Sequence, residues 1–188
     1  MTSSSALRSG VGLVTWAAPP SAWENLPPSP EVMLLPLRET KGEASGEDLD
    51  ALLASLSDKS AVVVGPGMGL ERGAQRIVEA LLTKCSLPVV VDADALTLLG
   101  LQAAKLWRPG VVYTPHPGEF LRISGAEKQA VERDRWEEGK RWAEENRLWI
   151  VLKGHRTLAA LPPKGFFLSL DGNPGMAVGG SGDVLAEI

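Results

Sequence analysis

The sequence predicts a three-layer α/β/α sandwich on a mostly parallel sheet, and three observations carry that prediction. Short runs apolar on both faces, such as Ala61-Val-Val-Val64, recur along the chain, as strands covered by helices on both sides require. Each run breaks at Gly, Asp or Pro and passes into sequence with helical spacing, the grammar of a parallel sheet with helical crossovers. The length of 188 residues and hydrophobic content of 44% suit one sizeable core.

The elements follow in order. Ser4 to Ser9 read as the end of a helix running into Gly10, and Val11 to Ala18 as a strand. Pro19-Pro20, Pro27-Pro28 and Pro30 mark an irregular connection. Val32 to Leu37 form a short apolar strand, and Gly46 to Leu56 carry helical spacing through Leu49, Leu52, Leu53 and Leu56. Ser60 to Gly65 form a buried strand that breaks at Gly65-Pro-Gly-Met-Gly69 before a helix through Ile77, Leu81 and Leu82. Pro88 to Asp92 and Gly110 to Thr114 repeat that pattern. Glu127 to Arg147, dense in charge and interrupted by Trp136 and Trp142, read as a solvated helix packing on one side, with no function assigned. Leu148 to Lys153 form another strand, Arg156–Ala160 and Phe166–Leu170 a hairpin around Pro162-Pro163, and Asp171 to Gly182 a glycine-rich loop entering a final helix.

Composition excludes several function classes. The net charge is −4 with scattered basic residues, which leaves no electrostatic footprint for nucleic acid or an anionic membrane. No apolar run approaches the roughly 20 residues that cross a bilayer, and Met1-Thr2-Ser3-Ser4-Ser5 lacks the regions of a secretory signal. The lone Cys85 forms no internal disulfide. A cytoplasmic protein is expected.

In open parallel sheets ligands bind beyond the carboxyl ends of the strands. Every distinctive motif follows a strand, so one shared cleft is expected. Within Asn173 to Leu185, small residues lead into a helix where backbone N–H groups could converge on a phosphate, with Asp183 at the end. Asp183 reads either as a general base beside that anion site or as an acid serving the helix dipole.

Here the sequence resembles known families. Gly180-Ser-Gly-Asp183 is similar to the anion-hole and base motif of ribokinase-like carbohydrate and vitamin kinases. Five ordered motifs together resemble the ADP/ATP-dependent NAD(P)H-hydrate dehydratases: Gly65-Pro-Gly-Met-Gly69, Val91-Asp-Ala-Asp-Ala-Leu96, Thr114-Pro-His-Pro-Gly-Glu-Phe120, Lys153-Gly-His-Arg-Thr157 and Gly179-Gly-Ser-Gly-Asp-Val-Leu185. Nearly the whole chain takes part, from Ala6-Leu-Arg-Ser-Gly-Val-Gly-Leu-Val-Thr15 onward.

The resemblance implies a ribokinase-like fold and a lyase that repairs hydrated NADH and NADPH. ADP or ATP with Mg²⁺ phosphorylates the added ring hydroxyl, and elimination restores the nicotinamide. Asp183 would take the hydroxyl proton, with Gly180, Ser181 and Gly182 around the transferring phosphoryl group. Gly67, Gly69 and His116 would contact the hydrated cofactor, although tight turning explains the glycines and a structural hydrogen bond explains the histidine. Lys153, Gly154, His155, Arg156, Thr157 and Gly182 would hold the adenine nucleotide, with the Lys153 ammonium on phosphate. His155 reads as facing solvent or nucleotide rather than a metal. Asp92, Asp94 and Glu119 are secondary metal candidates, with capping by Asp94 and helix-dipole service by Glu119 as the plainer readings.

The match also has gaps. Before Ala6 the family has a first strand and a glycine-rich turn that touches substrate, and Glu187 stands where a glycine is usual. A single catalytic domain over residues 1–188, incomplete at both ends, is the expectation, as is a homo-oligomer, the family form being a tetramer. A vitamin-precursor kinase and an inactive nucleotide-binding module stay open as alternatives.

Overall fold

The computed structural model describes residues 2–24, 26, 29–173 and 179–186. Its centre is a six-stranded sheet in the order β10-β9-β8-β7-β6-β5, with β5 Val62–Val64, β6 Val89–Val91, β7 Val111–Tyr113, β8 Trp149–Leu152, β9 Leu158–Ala160 and β10 Phe166–Leu168. Strands β5 to β8 run parallel in register, Val64 beside Val91 beside Tyr113 beside Ile150. The last two strands turn back antiparallel, Leu152 pairing with Leu158 and Ala160 with Phe166.

Side chains alternate across these strands as their pleat dictates. Val89, Val91, Val111, Tyr113, Ile150, Leu152, Leu158 and Ala160 are buried on one face, while Val90, Val112, Val151 and Ala159 on the other are half-buried. The crossover helices are α3 Arg72–Lys84, α4 Ala93–Leu99, α5 Ala103–Leu106, α6 Pro117–Ser124 and α7 Lys128–Asn146. They form a contiguous row, α3 on α4, α4 on α6 and α6 on α7. In α3 the buried side chains are Ala74, Ile77, Val78, Leu81 and Leu82, the three- and four-residue spacing of an apolar stripe. Gly139 lets α7 sit close on the sheet, since a Cβ there would stand 2.9 Å from Leu152 Cδ2 and 3.1 Å from Leu158 Cδ2. This is the mostly parallel α/β/α sandwich that the sequence predicts.

The remaining elements are α1 Thr2–Arg8, β1 Val14–Ala18, β2 Val32–Pro36, β3 Glu39–Thr40, β4 Glu43–Ala44, α2 Leu49–Ala54 and α8 Ser181–Leu185. β1 and β2 pair in parallel, and α1 packs on β1 and on α8. Three boundaries differ from the sequence reading. The first strand starts at Val14, because Val11 and Leu13 lie exposed around Gly12 and have no sheet partner among the described residues. The helix read over Gly46–Leu56 is regular only from Leu49 to Ala54 and then tightens into a 3₁₀ turn through Asp58. The charged helix α7 is broken at Asp134, whose φ of −153° and ψ of 84° are not helical. No helix among the described residues is long and apolar enough to cross a membrane.

Tyr113, the single tyrosine of the chain, is fully buried at the end of β7, and its hydroxyl donates to the Ala103 carbonyl at 2.7 Å. Burial pushes its phenol far above the ordinary value near 10. The folded state thus holds this proton more tightly than the unfolded chain. The resulting stabilisation is complete below about pH 10 and is lost as pH rises further. Denaturation followed against pH should show a fall in stability above about pH 10, with tyrosinate absorbance appearing together with unfolding. Tyr113→Phe should flatten that alkaline fall.

Candidate active site

The carboxyl ends of β5 to β8 converge, and the contacts between them define the site. Gly65 ends β5 with φ of +128°, and a Cβ there would stand 1.7 Å from the Asp92 carbonyl oxygen. Only glycine permits this approach of the β5 and β6 turns. Asp92, 1% exposed, follows β6, and its Oδ1 accepts from Lys153 Nζ at 2.5 Å. Lys153 follows β8, two strands away, and its backbone N–H donates to the Pro115 carbonyl at 2.8 Å beyond β7. Its ammonium also lies 3.9 Å from Glu119 Oε2. A buried charge needs compensation, and here one ammonium faces two buried carboxylates.

Asp92 and Asp94 point to different partners. Ala93 between them has φ of +48°, a strained value for a residue with a Cβ. Asp92 turns to Lys153, while Asp94 Oδ2 accepts from the Gly69 N–H at 3.0 Å. The capping expected of Asp94 is therefore absent. The helix begins two residues earlier than that reading implies, with Asp92 at the N-cap position, and Asp94 braces the glycine loop instead.

That loop has a second brace which the sequence did not disclose. A Cβ at Gly69, whose φ is +82°, would stand 2.1 Å from the Glu43 carboxyl carbon. Glu43 Oε2 accepts from the Glu71 N–H at 2.8 Å, at the entry to α3. Glu43 lies on the β3–β4 hairpin, whose two-residue strands give no periodic signal. At Gly67 the space is open, with nothing within 4 Å of an added Cβ. Of the two predicted glycines, Gly67 faces room for a ligand and Gly69 faces protein.

His116 is the N-cap of α6. Its Nδ1 accepts from the N–H groups of Gly118 at 3.0 Å and Glu119 at 3.3 Å, and Glu119 Oε2 accepts from the His116 N–H at 2.7 Å, a reciprocal capping box. An accepting Nδ1 places the imidazole proton on Nε2, which lies 3.3 Å from Glu119 Oε1. The side chain is still half exposed at the mouth of the site. Glu119 thus serves the helix terminus, as its plainer reading had it, and at the same time faces Lys153.

Gly180, with φ of +88°, caps α8, and Ser181, Gly182 and Asp183 form its first turn. A Cβ at Gly182 would lie 3.5 Å from Lys153 Nζ, so the ammonium sits beside the start of this helix. Asp183 is half-buried, and among the described residues no hydrogen bond or ion pair engages its carboxylate. Residues 174–178 of the glycine-rich loop, and Glu187, lie outside the described residues. The Lys153–Thr157 segment is the turn from β8 to β9; Gly154, His155 and Arg156 are exposed, and Thr157 Oγ1 donates to the Gly154 carbonyl at 3.1 Å.

Among the described residues no three His, Cys, Asp or Glu side chains group as a metal cage. A separate cleft of about 510 Å³ between α2, α3 and α5, lined by Arg76, Glu79, Lys84 and Lys105, includes none of these residues.

Comparison with known proteins points one way. The family model for NAD(P)H-hydrate dehydratases matches residues 1–188. The bifunctional NAD(P)H-hydrate repair enzyme Nnr of Moorella thermoacetica is 38% identical over 192 residues, covering 100% of this chain and 36% of that protein. The ADP-dependent (S)-NAD(P)H-hydrate dehydratase of Lactiplantibacillus plantarum is 35% identical over 190 residues, covering 99% of this chain and 63% of that protein. The chain thus spans less than two thirds of either relative. Among crystal structures, the ADP/ATP-dependent NAD(P)H-hydrate dehydratase of Bacillus subtilis, co-crystallised with ATP/Mg²⁺ and soaked with CoA, has a TM-score of 0.73 at 29% identity, over 99% of this chain and 65% of its own. A ribokinase-like protein of Enterococcus faecalis has a TM-score of 0.78 at 28% identity, over 99% of this chain and 62% of its own. A hydroxyethylthiazole kinase from Pyrococcus horikoshii, at 17% identity and a TM-score of 0.60, shares the fold alone.

The Gly65 contact gives a direct test of how the site is assembled. Gly65→Ala forces a Cβ against backbone that cannot swing away and adds strain at positive φ. It should cost about 3 kcal/mol or more in denaturant unfolding. Gly67→Ala, which meets only open space, should cost about 1 kcal/mol, from backbone strain alone.

Proposed function

We propose, since this chain belongs to the NAD(P)H-hydrate dehydratase family, that it restores NADH and NADPH from their hydrates at the expense of ADP or ATP, as a carbon–oxygen lyase. The observation that carries the reading is the carboxylate of Asp183, which no other described residue engages, in the same helical turn as Gly182, with the Lys153 ammonium beside that turn. A base and a phosphate-neutralising cation thus stand together at the strand ends.

In this reading residues 1–188 form one ribokinase-like catalytic domain. The hydrated cofactor lies against Gly67, Gly69 and His116, and the nucleotide along Lys153, Gly154, His155, Arg156 and Thr157. Asp183 takes the proton of the ring hydroxyl as its oxygen attacks the terminal phosphorus of ADP. The bond from that phosphorus to the bridging oxygen breaks, and AMP leaves. Backbone N–H groups of Gly180, Ser181 and Gly182 and the Lys153 ammonium face the charge that develops on the phosphoryl oxygens. The ring carbon–oxygen bond then breaks, phosphate departs, and loss of the neighbouring C–H proton restores the double bond.

Mg²⁺ is commonly held by one or two carboxylates together with substrate phosphates, and Asp92 and Glu119 would be the residues to hold it here; it would supply charge neutralisation on the phosphates. Asp94, engaged with Gly69, is the weakest of the three candidates. The protein is expected to work in the cytoplasm as a homo-oligomer, with exposed Phe167 and Leu170 available for association.

The purified chain, given NADH hydrate, Mg²⁺ and either ADP or ATP, should regain nicotinamide absorbance in a nucleotide-dependent way. Asp183→Asn should lower that rate by about 10²-fold or more at unchanged fold. Accumulation of a phosphorylated alcohol would instead identify a small-molecule kinase. Nucleotide binding without turnover would identify a binding module.

A further inference from the structure

The break in α7 points at the β8–β9 turn. Asp134 leaves the helix, and its Oδ1 accepts from the N–H groups of Trp136 at 3.2 Å and Glu137 at 3.0 Å, the pattern of an N-cap. The helix therefore restarts at Arg135, and the restart delivers two long donors to one acceptor. Trp136 Nε1–H donates to the Arg156 carbonyl at 2.9 Å, and Arg135 Nη2 donates to the same oxygen at 3.3 Å. The Arg135 guanidinium lies 5.2 Å from the Trp136 ring centroid and 3.2 Å from where a Cβ on Gly154 would stand.

The turn that receives these donors is strained. Arg156 has φ of +59° and Gly154 φ of +140°. Arg156 has a Cβ and gains nothing locally from that conformation, so the strain persists because neighbouring structure imposes it. The only side chains outside the turn that bond the Arg156 carbonyl among the described residues are Arg135 and Trp136. Arg135 Nε is buried without a hydrogen-bond partner among the described residues, an unfavourable placement. The guanidinium is thus held for the sake of its other contacts.

We propose that Arg135 and Trp136 are positioning residues for the nucleotide: by clamping the Arg156 carbonyl they fix the Gly154–Thr157 part of the turn and the direction of its N–H groups. This rests on the nucleotide reading of that turn given above. A helix whose sequence suggested only a solvated, charged exterior then becomes the support of a ligand loop.

Trp136→Phe keeps the ring and removes the indole donor, and Arg135→Lys keeps the charge and removes the planar fork. Two readouts are needed on the full chain with Mg²⁺: amide hydrogen exchange across residues 154–157, and calorimetric titration with ADP and with ATP. In either variant, exchange in the turn should rise while β6 and β7 stay protected, and nucleotide should bind about tenfold more weakly, the worth of one hydrogen bond. Unchanged exchange at 154–157 overturns the proposal, as does faster exchange with unchanged affinity. If the unsubstituted chain binds neither nucleotide, the nucleotide reading fails first and takes the proposal with it, a result recognisable before any variant is made. Should Trp136→Phe lose protection in β6 and β7 as well, the decision passes to Arg135→Lys on the same criteria.

Discussion

The pairing of the Lys153 ammonium with the buried Asp92 carboxylate is the constraint around which the rest of this structure is arranged. Asp92 ends β6 and Lys153 ends β8, so the pair forms only if β7 lies between them, parallel and in register. Neither group could be buried alone, since an unpaired charge in a site of low polarity costs several kcal/mol. The backbone follows from the same requirement. Lys153 is tethered through its N–H to Pro115, past the end of β7, and the Asp92 carbonyl is packed against Gly65 at the end of β5. Four strand ends are thereby fixed against one another, and the row α3, α4, α6 and α7 behind them supplies the rigid support.

Irregular backbone accumulates at those ends. Gly65, Ala93, Gly154 and Arg156 all have positive φ and all sit in turns at the carboxyl side of the sheet. Such conformations persist only where surrounding contacts over-determine them, and here each has an identifiable contact. Gly65 meets the Asp92 carbonyl, and Ala93 stands between two carboxylates committed to different partners. Gly154 and Arg156 lie under Arg135 and Trp136. The capping box of α6 has the same economy. Glu119 closes the helix terminus through the His116 N–H and, with its other connections, keeps a negative charge near Lys153.

Much of this was legible in the sequence, for definite reasons. The valine runs of β5, β6 and β7, buried on one face and half-buried on the other, carry no polar alternation, and the stripe of α3 repeats at helical spacing, so both were read without tertiary information. Glu119 could be read as serving a helix N-terminus and His116 as a hydrogen-bonded structural residue, while the reciprocal capping box that joins them emerges only in the structure. What escaped was set by distant partners. Val11 and Leu13 look like strand residues, yet lie exposed before β1. The β3–β4 hairpin is two residues long on each side, turning through Lys41 and Gly42 at positive φ, too short and polar for any periodicity. Glu43, on that hairpin, reaches the glycine loop 26 positions later, and Trp136 reaches Arg156 across 20 positions. Asp94 illustrates the limit in the other direction: an acid before a helical run reads as a cap, and only the position of Gly69 reveals its actual bond.

The fold by itself does not select the chemistry. A hydroxyethylthiazole kinase shares this architecture at 17% identity, so the parallel sheet and its helical row do not by themselves name a reaction. Discrimination has to come from what stands on the strand ends. In the proposed reading, a base at Asp183 and a cation at Lys153 would answer a requirement common to any phosphoryl transfer and would not by themselves distinguish acceptors. In that reading the discrimination would fall to the turns that follow β5 and β7. Gly67 leaves open space within a loop that Asp94 and Glu43 otherwise hold tightly, and His116 presents a half-exposed ring from a helix terminus that Glu119 locks in place. A braced loop and a locked ring would suit a planar, bulky acceptor better than a small flexible alcohol, because neither has to be ordered when the ligand arrives. Under the proposed function, acceptor choice would depend on how firmly the Gly65–Gly69 and Thr114–Glu119 turns are braced, and the residues that brace them would matter to it as much as those that touch the ligand.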